Sequence, residues 1–260
     1  MSQDADGPRP PLTDSAGQPW AGRQFDHNAF GGDDGSAPAE LVQAIERFRA
    51  GVATADAVVD AVRHVRLLIP LVAQLGESGT TEAGHLVDKS QELAIVTVEG
   101  PDGRTVLPVF SSVQAMQRWN PKARPVPADG ARVALAAASE QTDLVVLDPL
   151  SDTEFVIRRP ALWAIAQSQP WLPAHVDPEV FSAFSASIGS ELGVHDVSLR
   201  SGDPDARLAG EDIVVRLELA QGLTREELDA VLARLALRWA ADDVIATRVD
   251  SLRVQLAASA

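Results

Sequence analysis

The chain has 260 residues, 45% of them hydrophobic and 23% charged, with 37 acidic against 22 basic side chains, a net charge of −15 and no cysteine. That balance describes a globular protein without disulfides, thiolate nucleophiles or cysteine-held zinc. Its negative field repels phosphate backbones, which argues against general nucleic-acid binding.

No window approaches the roughly 18 uninterrupted apolar residues of a membrane span, so no membrane association is expected. The start, MSQDADGPRP, has no basic head before an apolar core, so no secretory signal is expected. Absence of cysteine fits a reducing compartment, and a cytoplasmic location is expected. Lysine appears only at Lys89 and Lys122, an arginine bias typical of a GC-rich bacterial genome.

Residues 1–37 are rich in Gly, Pro, Asp and Ser and offer few apolar contacts to offset ordering, so a disordered tail is expected. GGDDG at 31–35 matches a cyclase signature by letters alone, in a tail rather than a hairpin. Order begins at PAELVQAIERFRAG, where Leu41, Ile45 and Phe48 recur at helical spacing; TADAVVDAVRHV is a second helix. RLLIPLVA has strand length, and QLGESGTTEAGHLVDKSQ is a polar connection. Strands over 92–99 and 104–110 flank Gly-Pro-Asp-Gly, a turn in which Gly103 takes the left-handed position. Ser111 with Gln114 reads as a capping box for a helix over 112–119. RPVP is extended, ADGARVALAAASEQ a small-residue helix, DLVVLDP and EFVIRR strands, and PALWAIAQ a helix begun by Pro160. These elements predict a mixed sheet of about five strands with packed helices over residues 38–171.

Prolines 170, 173 and 178 mark a boundary, and residues 172–260 are expected to form a smaller domain. There PEVFSAFSASIGSEL is helical, GVHDVSLRSG and EDIVVRLELA are strands, and TREELDAVLARLALRW is a helix with Thr224 and Glu227 as its capping box. DVIATRVDSLRVQLA reads as one long strand or a strand pair, giving the order α-β-β-α-β. The fold class is therefore α/β (α+β).

The run RLLIPLVA, DKSQELAIVTVEGPDGRTVLPVFSSVQAMQRW, ARPVPADG and LVVLDP resembles the SseB (enhanced serine sensitivity) family. PDGRTVLPVFSS, Trp119 and ARPVP carry most of the likeness, which spans about 37–170 and more weakly the family's C-terminal domain over 172–258. The resemblance implies an α/β N-terminal domain of undefined biochemical role, with no catalytic residues to transfer.

Reactive-looking groups have simpler roles. GSELG at 189–193 lacks the spacing of a nucleophile elbow, and Ser111 is taken by the capping box. Asp60 with His64 and Glu82 with His85 lack a third ligand, so no metal is expected. Asp148 stands at a strand end where open sheets place ligand groups, although Asp-Pro also starts turns. Lys89 and Arg104 read as solvated cations. Pro70 and Pro108 interrupt strong strands and must sit where no ladder donor is needed; with Phe110 they are expected to border a binding surface.

The expectation is thus a non-catalytic binding or interaction protein, with no cofactor and no catalytic residue, and with a protein or small molecule as partner. A hydrolase or transferase with dispersed carboxylates and arginines near Asp148 is the alternative. The closing strand, if exposed, offers pairing in a homo-oligomer.

Overall fold

Apolar residues at three- and four-residue spacing make the first two helices, α1 (Ala39–Arg49) and α2 (Ala55–His64), which bury Leu41 and Ile45, and Val58, Val59 and Val62. The computed structural model describes residues 32–75 and 91–258. Most of the expected tail, and the connection carrying Glu82, His85 and Lys89, lie outside the described residues. Next come β1 (Arg66–Leu75), β2 (Gln91–Ile95), β3 (Val98–Glu99), β4 (Thr105–Val109), α3 (Val113–Trp119), β5 (Arg124–Asp129), α4 (Gly130–Ser139), β6 (Val145–Leu147), β7 (Phe155–Ile157) and α5 (Arg159–Ala166). The main core draws on Leu41, Val59, Leu67, Val109, Val145 and Phe155. The α+β class is as expected.

The single five-stranded sheet is not. The strands form two sheets, β2-β1-β5 and β3-β4-β6-β7. They meet at one antiparallel bridge, where Leu68 and Phe110 exchange N–H to C=O bonds of 2.8 and 2.9 Å. Two residues further along that register, Pro70 falls opposite Pro108. In an antiparallel ladder this would be the next hydrogen-bonded pair, and neither proline has an N–H to give. The ladder stops there. From Leu71 onward β1 pairs with β2 instead, while β4 pairs with β3 up to Val106. On its other side Pro70 faces Pro125 of β5, and Pro108 stands beside Val146 of β6. Both prolines occupy positions where the donor is dispensable.

The remaining elements are α6 (Pro178–Ile188), β8 (Val194–Ser201), β9 (Ile213–Leu219), α7 (Arg225–Ala241), α8 (Asp243–Arg248) and β10 (Leu252–Ala258). β10 runs parallel to β9, and β8 antiparallel to it. Phe184 and Trp239 meet edge to face at 5.2 Å within the second core. The expected closing strand is a helix followed by a strand. Asp242 takes the N–H groups of Val244 and Ile245 and caps α8. A parallel neighbour needs a crossover of about a dozen residues or more, which α7 and α8 supply. Among the described residues, no helix is long and apolar enough to cross a membrane.

Candidate functional site

The loop LDPLSDTEF after β6 is built around a buried carboxylate. Asp148 is 1% exposed and has φ +45°, a conformation that aspartate tolerates better than most residues. Its Oδ1 accepts the Ser111 N–H at 2.8 Å. Its Oδ2 accepts the Ser111 hydroxyl at 2.6 Å and the Thr153 hydroxyl at 2.8 Å. Its N–H donates to Val109 O at 2.8 Å, and its carbonyl accepts the Ser151 hydroxyl at 2.7 Å. Three donors satisfy a carboxylate that would otherwise be costly to bury. The effect is mechanical: Asp148 ties the end of β4 to the end of β6.

Ser111 is therefore not the helix cap. Ser112 caps α3, accepting the Ala115 N–H at 3.1 Å. Adjacent serines offer two candidates in the sequence, and the buried aspartate takes the first. Ser111 lacks the geometry of an activated nucleophile. Its hydroxyl is buried, at 4% residue exposure, and donates to a carboxylate oxygen that Thr153 also occupies, so no substrate can reach the serine oxygen. A base must accept the serine proton from a position that frees oxygen for attack.

Beyond Asp148 the chain turns Leu150 into solvent. Leu150 has φ +64° and is 91% exposed, its N–H held by Glu154 Oε2 at 2.6 Å. A left-handed leucine costs about 1–2 kcal/mol, so the loop holds an apolar side chain in water against its backbone preference.

Two cavities of ≈ 320 and ≈ 340 Å³ meet at Trp119, Pro149 and Leu150. One runs beside α3, past Ala115 and Arg118. The other runs between the β3–β4 hairpin and Leu208, with Pro108 in its wall. Trp119 is half-buried and rests on Phe110, with ring centroids 5.3 Å apart and planes tilted 42°. Phe110 is fully buried and Pro70 is buried within β1. Of the three residues singled out in the sequence, Pro108 lines the groove and Phe110 backs it. Leu150 went unnoticed, although a leucine between Asp-Pro and Ser-Asp-Thr is an apolar outlier in a polar turn.

Other expected groups are engaged elsewhere. Asp60 pairs with Arg63 at 3.2 Å. Arg104 is no free cation: it bonds Asp102 at 2.6 Å and Asp250 at 3.0 Å. Among the described residues no group of three or more His, Asp or Glu side chains could hold a metal. Residues 41–164 match the family model of the SseB protein N-terminal domain. No curated protein and no solved structure matches the chain.

Proposed function

The chain carries an SseB protein N-terminal domain over residues 41–164, and on that premise we propose that it is a cytoplasmic binding protein rather than a catalyst. The groove at Trp119, Pro149 and Leu150 receives a partner protein whose contact surface is basic and presents an apolar side chain. The observation that carries this reading is Leu150, held 91% exposed at positive φ beside the groove. The net charge of −15 supports a basic partner, because opposite fields steer association. A catalytic reading centred on Asp148 has no comparable support, since that carboxylate is filled by three donors from its own chain. The absence of cysteine supports the compartment. We also propose a division near residue 172, with residues 172–260 as the family's C-terminal domain; the two largest apolar clusters, which fall mostly before and mostly after that point, support it.

The test compares the wild type with Leu150→Gly and, as a distant control, Leu237→Ala on α7, where the leucine is 73% exposed. Glycine relieves the positive φ, so the first variant should be about 1 kcal/mol more stable. Quantitative capture from the source cell's lysate should recover a basic protein at least about tenfold less well with Leu150→Gly than with the wild type, since burying a leucine contributes roughly 1.5–3 kcal/mol. Leu237→Ala should recover it undiminished. Equal recovery by all three would overturn the assignment, as would loss of an acidic protein instead of a basic one.

A further inference from the structure

A third cavity, of ≈ 320 Å³, lies where α1 and β7 meet the 201–212 loop, and its walls carry Phe48, Phe155, Trp171, His175, Arg158 and Asp212. Phe48 and Phe155 pack edge to face at 5.3 Å. The ionic groups around it do not balance. Arg158, buried, bonds Asp203 at 2.9 Å, Asp250 at 3.1 Å and the Gly210 carbonyl at 2.8 Å. Arg104 is shared between Asp250 and Asp102. Asp203 is filled, because it also takes the N–H groups of Arg207, Leu208 and Ala209. Asp212 receives only the Asp250 N–H, at 3.1 Å on one oxygen, and forms no ion pair among the described residues. Four carboxylates thus share two guanidiniums, and of the two that line the cavity, Asp203 and Asp212, it is Asp212 that lacks an ion pair among the described residues. His175 also lines it, half-buried, and makes no hydrogen bond among the described residues.

We propose that this cavity binds a small organic cation, a primary ammonium on an apolar or aromatic body, with the ammonium between Asp212 and His175 and the body against Phe48, Phe155 and Trp171.

The chemistry fits part by part. A cation supplies the counter-charge that Asp212 lacks, and an ammonium has three donors for a carboxylate oxygen and an imidazole nitrogen. Desolvation holds the His175 imidazolium pKa below its ordinary value, so at neutral pH the ring is uncharged and can accept. Aromatic rings favour a cation and the hydrocarbon beside it. The volume lies at the small end of the about 300–1,000 Å³ typical of small-molecule sites. An anion would meet the surplus carboxylate and is excluded. Burial, together with Asp250 and Asp203 and against the pull of Arg158, raises the Asp212 carboxyl to about 6. A bound cation favours the ionised carboxylate, so affinity should rise with pH up to about 6 and level off above it.

The experiment uses the full chain and three probes of one shape: phenethylamine, phenethyl alcohol and phenylpropionate. Binding is followed by the indole N–H signals of the tryptophans in two-dimensional NMR at pH 7.5 and pH 5. At pH 7.5 phenethylamine should saturate at least tenfold more tightly than the alcohol, and phenylpropionate should not bind. At pH 5 that preference should shrink several-fold. Asp212→Asn, which keeps an acceptor for the Asp250 N–H, should abolish the preference for the amine at both pH values. An amine that does not saturate the wild type, or one that binds no better than the alcohol, overturns the proposal. So does a preference that survives in Asp212→Asn.

Discussion

Asp212 is unusual among the described acidic residues because folding makes it harder to ionise. Its carboxyl rises from 3.8 to about 6, first through burial and then through the neighbouring Asp250 and Asp203. A group that holds its proton more tightly in the folded chain contributes stability that is fully present below its unfolded pKa and is lost as pH rises through its folded pKa. For Asp212 the loss runs from about pH 4 to about pH 6 and amounts to roughly 2–3 kcal/mol. Asp212→Asn should therefore be more stable than the wild type by on the order of 2 kcal/mol in urea titrations at pH 8, with the gap closing toward pH 4. A gap of the same size at both pH values would refute the assignment. Glu191 works in the opposite sense. Hydrogen bonds and ion pairs with Arg234 and Arg238 hold its carboxyl below the ordinary value, so its contribution is present above about pH 4.5 and fades in acid.

At the level of elements, the β3–β4 hairpin shows turn residues acting as turn residues. The Gly100 N–H bonds Arg104 O at 2.8 Å, and the Gly103 N–H bonds Gly100 O at 3.0 Å. Asp102 accepts the Arg104 N–H at 3.1 Å. Gly103 has φ +80°, and a Cβ there would meet nothing within 4 Å. The cost of a side chain is then purely conformational. Gly103→Ala should lower stability by about 1 kcal/mol, read as a fall in Tm of about 2–4 °C for a chain of this size. An unchanged Tm would count against the turn. The two central prolines act at the same scale but across the sheet. Facing each other one hydrogen-bonded pair beyond Leu68 and Phe110, they turn one possible sheet into two, and Pro108 ends as a wall of the groove. Each proline could be recognised as a ladder defect from its neighbours in the chain. Their mutual placement depends on a register between strands about 40 residues apart, which no local pattern encodes.

In the molecule as a whole, Arg158 joins β7 to both ends of the C-terminal sheet's connections, through Asp203 and Asp250. Arg49 adds a second tie, donating to the carbonyls of Glu154 and Asp205. Leu208 packs with Val106, Leu144, Val146 and Val156 in a small shared core. Removing one member of a buried ion pair leaves its partners uncompensated. Arg158→Ala should accordingly cost about 3–5 kcal/mol in denaturant unfolding, and a loss below about 1 kcal/mol would mean that the cluster does little to hold β7 to the 201–212 loop. Local patterning specifies the helices with clear apolar spacing, the hairpin and the α+β class, because periodicity and turn chemistry are local properties, while PDGRTVLPVFSS, Trp119 and ARPVP carry the SseB resemblance over about 37–170. Only the packed chain shows that Ser111 serves Asp148 instead of α3, that Leu150 is pushed into solvent beside Trp119, and that Asp212 has no ion pair among the described residues. Each of these depends on side chains brought together from distant positions. A carboxylate's partners, and so its cost of burial, are set by the fold and not by its neighbours in the chain.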